Sequence, residues 1–344
     1  MDDRVLRRLR EVSESPDLSG TRYRLIRRLG RGGMGTVYLV EDQELGREAA
    51  LKVLTVPDPR GGLTARIRAE ARLLARLEHP NIVPVHDLGP LADGSVFYVM
   101  KYVRGERLDE WRRKGPTRPE MLRLFQKICE AVAFAHARGV IHRDLKPENV
   151  MVGSFGEALV MDWGVAKILA SRLDEQVTFA GGAPGNPGGT AEGAILGTPA
   201  YMAPEQARGE NHRLDERTDV HALGALLYFL LSGRPPFQGS DREETLRQAR
   251  DGAAPPLRQI DAAIPRDLEA ICDRAMARDP AARYRGVGEL SADVDRFLDA
   301  LPVQARPLGL FGKSARFLAR NRVLAFLIAA YLLMRVLVLF FARR

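Results

Sequence analysis

The chain has 344 residues, 45% hydrophobic and 28% charged, which is the composition of a globular protein and enough length for two domains or one large bilobal one. Its two cysteines, Cys129 and Cys272, exclude a disulfide framework and a cysteine metal cluster, and point to a reducing compartment. The net charge of +8 does not make the body a nucleic-acid binder: eight basic and no acidic residues fall between Val303 and Arg344, and subtracting them leaves residues 1–302 formally neutral.

Residues 1–20 are polar and read as an N-terminal arm, and the charged start "MDDRVLRRLR" carries no signal peptide. From Tyr23 to about Met100 the pattern is strand-rich. "TVYLV", "AALKVL" and "SVFYVM" are short β-branched or aromatic runs. Between them, Ile67, Ala71, Leu74 and Leu77 in "TARIRAEARLLARL" have helical spacing. From Leu108 to about Leu301 helices dominate. "PEMLRLFQKICEAVAFAHARG" reads as one, ending at Gly139. "DVHALGALLYFLLSG" is apolar nearly all round and reads as a buried central helix. Residues 180–194, "AGGAPGNPGGTAEGA", read as a flexible loop.

The tail comes last. Residues 302–322 form a basic linker, and residues 323–342 hold a single charge, Arg335. At ~1.5 Å per residue this stretch reaches the ~30 Å of a bilayer core. Thirteen Leu, Ile, Phe or Val residues surround Arg335. Each contributes about −0.3 to −0.6 kcal/mol against roughly 2.5–3.5 for the arginine, so the sum favours insertion over an in-plane helix. Lys313, Arg316, Arg320 and Arg322 outnumber Arg343 and Arg344, so the body should stay in the cytoplasm beside the cell membrane. Only two residues follow Ala342, so no extracellular sensor domain is expected.

Four stretches carry chemistry. In "LGRGGMGTVYLV", Gly30, Gly32 and Gly35 form G-x-G-x-x-G with Val37 two further on. The strand that follows suggests a flap between two strands over a nucleotide, or a glycine-rich hairpin. In "AALKVL", Ala50, Lys52 and Leu54 share one strand face, so Lys52 is either at an exposed edge or paired inside. Glu70, in the middle of the Ile67–Leu77 apolar face, would satisfy a buried lysine, or lie at the rim. "VIHRDLKPENVMV" packs His142, Arg143, Asp144, Lys146 and Asn149 into a loop, since Pro147 forbids regular helix. Asp144 can accept a proton, Lys146 can neutralise a phosphate and Asn149 can offer a metal its amide oxygen. In "VMDWGVAK", Asp162 is a metal ligand or a turn residue.

With "APE" at Ala203–Glu205, these motifs stand in the order found in protein kinases, and the chain resembles the eukaryotic-like (Hanks-type) bacterial serine/threonine kinases over about residues 23–300. The resemblance implies an α+β bilobal fold spanning residues 21–301. Its N-lobe, to about residue 101, is an antiparallel sheet with one main helix; its C-lobe, from about residue 104, is mostly helical. It implies ATP and Mg2+ as cofactors. Gly30, Arg31, Gly32, Gly33, Met34, Gly35 and Val37 would cover ATP, Ala50 and Met151 would sandwich the adenine, and Met100 would be the gatekeeper. Lys52 would hold the phosphates and pair with Glu70, Asp144 would orient the substrate hydroxyl with Lys146 nearby, and Asn149 and Asp162 would hold magnesium. Thr198 would contact the catalytic loop, Glu205 and Arg283 would form an ion pair, and Asp219 would hold the catalytic loop's backbone.

Lys146 and "GTPAYMAPE" resemble Ser/Thr rather than Tyr kinases, so protein Ser/Thr hydroxyls are the expected substrates. Arg143 would meet a phosphate on the activation loop at Thr190, with Thr178 second, and a homodimer would allow autophosphorylation. Trp163 replaces the usual Phe, Lys101 stands where an acidic hinge residue is common, and His221 stands where an aromatic is common. The alternatives are a membrane-anchored pseudokinase that senses nucleotide without turnover, disfavoured by the intact catalytic set, and a small-molecule kinase, disfavoured by the "GTPAYMAPE" segment.

Overall fold

In the computed structural model of the chain, the described residues are 15–32, 35–54, 77–163, 198–252, 254–306 and, in the tail, 330, 331, 334 and 335. Alternating apolar residues build a five-stranded antiparallel sheet from β1 (Tyr23–Gly32), β2 (Gly35–Asp42), β3 (Arg47–Leu54), β4 (Val85–Pro90) and β5 (Val96–Lys101), in the order β1-β2-β3-β5-β4. β3 is central, and its register sets Val37 and Tyr98 directly on either side of Lys52, with Ala50 opposite Met100. One face packs Ala50, Tyr98, Met100 and Leu159 together, and the other packs Tyr38, Leu51, Phe97 and Val99.

Two tethers lead from this sheet to the rest of the chain. Asn81 donates its side-chain amide to Ala158 O at 2.9 Å, and the backbone of Asn81 and Val83 pairs with Val160. Val160 belongs to a small antiparallel sheet of β6 (Gly105–Arg107), β7 (Val150–Gly153) and β8 (Ala158–Val160).

The remaining elements are helices: α1 (Leu108–Arg113), α2 (Arg118–His136), α3 (Pro204–Ala207), α4 (Glu216–Ser232), α5 (Arg242–Asp251), α6 (Leu257–Ile260), α7 (Arg266–Ala275) and α8 (Val287–Leu298). α2 starts where Thr117 and Glu120 make a capping box and stops at His136, three residues before the expected glycine, which adopts φ 72° in the turn that follows. α4 is buried on every face from Thr218 to Leu231, as its all-round apolarity requires. Asp215 caps its start and Gly233, at φ 73°, ends it. Leu223, Leu226, Leu227 and Leu230 are each wholly buried, and truncating any one to Ala should cost about 2–5 kcal/mol.

Packing extends beyond residues 21–301 at both ends. Leu18 is tucked beside Tyr23 and Tyr38. Past Leu301, Val303 is buried, and the carboxylate of Asp293 accepts the amides of Gln304 at 2.6 Å and Ala305 at 2.8 Å together with the Tyr284 hydroxyl at 2.8 Å. The first residues of the expected linker therefore close the helical region, because a buried carboxylate needs donors and the returning backbone supplies them. Among the described residues no helix is long and apolar enough to cross a membrane, and most of the expected span, 323–342, lies outside them.

Candidate active site

The "HRD" loop runs from α2 to β7 and is held from below by one carboxylate. Asp219, in the first turn of α4 and wholly buried, accepts the amide of His142 at 2.7 Å on Oδ2 and that of Arg143 at 2.9 Å on Oδ1. His136 donates from Nε2 to the same Oδ2 at 2.8 Å. Burial alone would raise the Asp219 pKa, but the His136 hydrogen bond, the two nearby imidazoles and the His142 amide outweigh it, and the carboxyl sits below its ordinary value. The hold matters because Arg143 has φ 63°, a left-handed backbone that costs a residue with a Cβ roughly 1–2 kcal/mol. Gln206 completes it by donating to Arg143 O at 2.9 Å.

His142 turns this support into a link across the site. Its Nδ1 accepts from the Asp144 amide at 3.3 Å, so Nε2 carries the proton and donates to Met161 O at 3.1 Å. One buried imidazole thus joins the Asp144 amide to the carbonyl of Met161, the residue before Asp162, and the Trp163 ring packs on it at 4.7 Å.

The polar groups converge above it. Lys146 Nζ donates to Thr198 Oγ1 at 3.0 Å and lies 3.4 Å from Asp144 Oδ2. Asn149 closes the short turn Pro147–Asn149 and donates its amide nitrogen to Asp144 O at 2.8 Å and to Asp144 Oδ2 at 3.3 Å. The Met161 amide donates to Asn149 O at 2.9 Å, which brings Asp162 alongside. Asp162 has φ 56°, a conformation aspartate tolerates better than most residues. Its Oδ1 meets Lys52 Nζ at 2.5 Å, from the opposite sheet.

Of the residues expected from the sequence, Lys52, Asp144, Lys146, Asn149, Asp162 and Thr198 are brought together. Gly30, Arg31, Gly32, Gly35 and Val37 lie on β1 and β2, where the two strands pair across Gly32 and Gly35. Gly35 has φ 146°, and a Cβ there would sit 2.0 Å from Val53 O, so no side chain fits. A Cβ at Gly30 would meet nothing within 4 Å among the described residues. Ala50, Met100 and Met151 gather around Leu159 beside Val37. Glu70, Gly33, Met34, Thr178 and Thr190 lie outside the described residues. Three participants were missed: His136, Gln206 and Tyr98, whose hydroxyl donates to Asp162 Oδ1 at 3.3 Å. Alternation puts Tyr98 on the strand face of Met100, but the contacts of all three join residues far apart in sequence.

Residues 23–292 match the family model described as the protein kinase domain. The chain belongs to the protein kinase family. This kinase is 35% identical over 282 residues to serine/threonine-protein kinase PrkC of Bacillus subtilis, covering 81% of its own chain and 41% of the relative. It is 36% identical over 300 residues to serine/threonine-protein kinase PknB of Mycobacterium tuberculosis, covering 85% and 45%. The chain therefore spans less than half the length of these curated relatives. The crystal structure of the Mycobacterium tuberculosis PknI kinase domain superposes with a TM-score of 0.59 at 28% identity, covering 80% of this chain and 95% of that one.

A divalent cation fits the donors present in the kinase. Asn149 commits its nitrogen to Asp144, which leaves the amide oxygen for a cation, and Asp162 Oδ2 takes no hydrogen bond among the described residues. Two oxygens of this kind suit a hard divalent cation.

Proposed function

We propose that the chain is a serine/threonine protein kinase that transfers the γ-phosphoryl of Mg-ATP to protein Ser/Thr hydroxyls. The observation that carries the reading is the convergence of Lys52, Asp144, Lys146, Asn149, Asp162 and Thr198 around one cleft. Asp144 Oδ2 orients the attacking hydroxyl and takes its proton as that oxygen bonds to the γ-phosphorus and the bond from phosphorus to the β–γ bridging oxygen breaks, releasing ADP. Lys146, 3.4 Å away, offsets charge on the transferred group, and Thr198 fixes the lysine's position. Lys52 exchanges Asp162 for the α- and β-phosphates when nucleotide enters. Asn149 and Asp162 would hold magnesium, which supplies charge neutralisation on the phosphate oxygens. The protein's share of catalysis is positioning and electrostatics.

The finer parts of the reading rest on sequence. They are autophosphorylation at Thr190 or Thr178, assisted by a homodimer, and anchoring in the cell membrane through residues 323–342 with the kinase domain cytoplasmic. The relatives named PrkC and PknB support the Ser/Thr class. The purified chain, given Mg-ATP and a basic protein substrate, should incorporate phosphate, and Asp144→Asn should lower the rate about 10²–10⁴-fold. Undiminished transfer by Asp144→Asn would overturn the assignment, and wild-type binding of nucleotide without transfer would establish a pseudokinase.

A further inference from the structure

Tyr98 stands on β5 directly across from Lys52 on β3, so both side chains leave the same face of the sheet. Only 6% of Tyr98 is exposed, yet it carries a polar tip. Its hydroxyl donates to Asp162 Oδ1 at 3.3 Å, the oxygen that Lys52 Nζ holds at 2.5 Å. Lys52 also lies 5.9 Å from the centre of the Tyr98 ring. Beside Met100 the tyrosine helps wall a small pocket of about 20 Å³ that Asp162 and Trp163 also line.

The two oxygens of Asp162 are therefore in different situations. Oδ1 is tied to the protein twice, whereas Oδ2 takes no bond among the described residues. A carboxylate held by one oxygen presents the other in a fixed direction. In the proposed reaction Lys52 moves onto the nucleotide phosphates, and the hydroxyl then becomes the remaining tether on Oδ1. At 3.3 Å it is longer than an ordinary O–H···O bond, because the lysine already holds the short position. Departure of the lysine lets it close.

We propose that Tyr98 is a positioning residue of this kinase, holding Asp162 Oδ1 so that Oδ2 faces the metal of the bound nucleotide. The proposal rests on the kinase reading above. Two effects of the hydroxyl oppose each other. Its hydrogen bond draws charge from the carboxylate, which weakens a ligand, and it restricts rotation of the carboxylate, which strengthens one. The first acts chiefly on Oδ1 and the second on Oδ2, so the second governs metal binding.

The test compares the full-length wild-type chain in detergent with Tyr98→Phe, which loses only the hydroxyl, and Tyr98→Met, which loses the ring as well. Calorimetry measures the affinity for a non-hydrolysable ATP analogue with and without MgCl2. A second assay measures the Mg2+ concentration that gives half-maximal phosphoryl transfer. In both variants, affinity without metal should stay within about twofold of wild type, whereas affinity with metal should weaken about three- to tenfold. The half-maximal Mg2+ concentration should rise by the same factor. A residue that merely fills space would weaken both affinities alike. Equal loss with and without metal, or no loss in Tyr98→Phe, overturns the proposal. Metal-dependent binding without transfer in the wild type overturns the kinase reading alone, since the calorimetric comparison still decides the role of Tyr98.

Discussion

A single buried carboxylate can do what several residues of loop sequence cannot. The amides of His142 and Arg143 and the ring of His136 all point at Asp219, and Arg143 keeps its left-handed backbone because those bonds exceed the strain. Asp219→Asn keeps the shape but turns an amide NH2 toward at least one of these donors. The expected cost is about 2–4 kcal/mol in urea unfolding, with a loss of phosphoryl transfer. The folded Asp219 pKa lies below its ordinary 3.8, so its stabilisation is complete above that value and is lost as pH falls through the folded one. The difference in melting temperature between wild type and Asp219→Asn should therefore close below about pH 3.8. His221, two residues on, is the opposite kind of buried group. Among the described residues neither ring nitrogen has a hydrogen-bond partner, and the ring stacks 6.2 Å from Phe237. Burial first, and the charge of Arg283 second, hold its pKa well below 6.5. As pH falls past 6.5 the unfolded chain takes up a proton that the folded chain refuses, so stability drops. His221→Phe should match wild type at pH 8 and exceed it at pH 5, as read by urea unfolding.

At the scale of elements, the tie between α3 and the α7–α8 connection rests on one ion pair. Arg283 Nη1 and Nη2 meet the two oxygens of Glu205 at 2.7 and 2.8 Å, and Thr218 adds a hydroxyl at 3.1 Å. Arg283 also donates to the carbonyls of Arg217 and Ala277, so its charge is satisfied on every side. Both residues are 3% exposed. Arg283→Met leaves Glu205 buried and unpaired, and should cost about 3–5 kcal/mol; adding Glu205→Gln should restore part of the loss in thermal melts. This pair, whose residues stand 78 apart, was expected only from the resemblance to protein kinases, through the "APE" and "DPAARY" motifs. β2, β3 and β5 were legible from their β-branched and aromatic runs, and α4 from its unbroken apolarity. The pairing of Lys52 with Asp162 was not, since it depends on how β3 faces a loop 110 residues away. Tyr98 was hidden for the same reason: alternation gives its face of the strand, and only the β3–β5 register gives its neighbour. His136 is invisible to periodicity because a polar residue near a helix end reads as solvent-facing until Asp219 is placed beside it.

At the scale of the whole molecule, the folded body ends later than composition suggests. Asp293 reads as a surface position of α8, yet it is 1% exposed and holds the backbone after Leu301. Truncation after Leu301 removes two amide donors from a buried carboxylate and should cost about 2–3 kcal/mol, whereas truncation after Arg306 should leave the melting temperature of the body unchanged. Under the proposed anchoring through residues 323–342, the full-length protein should fractionate with membranes and the chain cut after Arg306 should not. Recovery of the intact chain in the detergent-free soluble fraction would refute anchoring through residues 323–342.

The support beneath the "HRD" loop also fixes an order of events in synthesis. Asp144, Asn149 and Asp162 all leave the ribosome before Asp219, the group that gives their loop its shape, and before Arg283, which ties Glu205 in place. A nascent chain therefore carries its reactive side chains without the geometry to use them. In a translation series arrested at successive lengths, phosphoryl transfer should be silent until α4 and the Arg283 segment have emerged and docked.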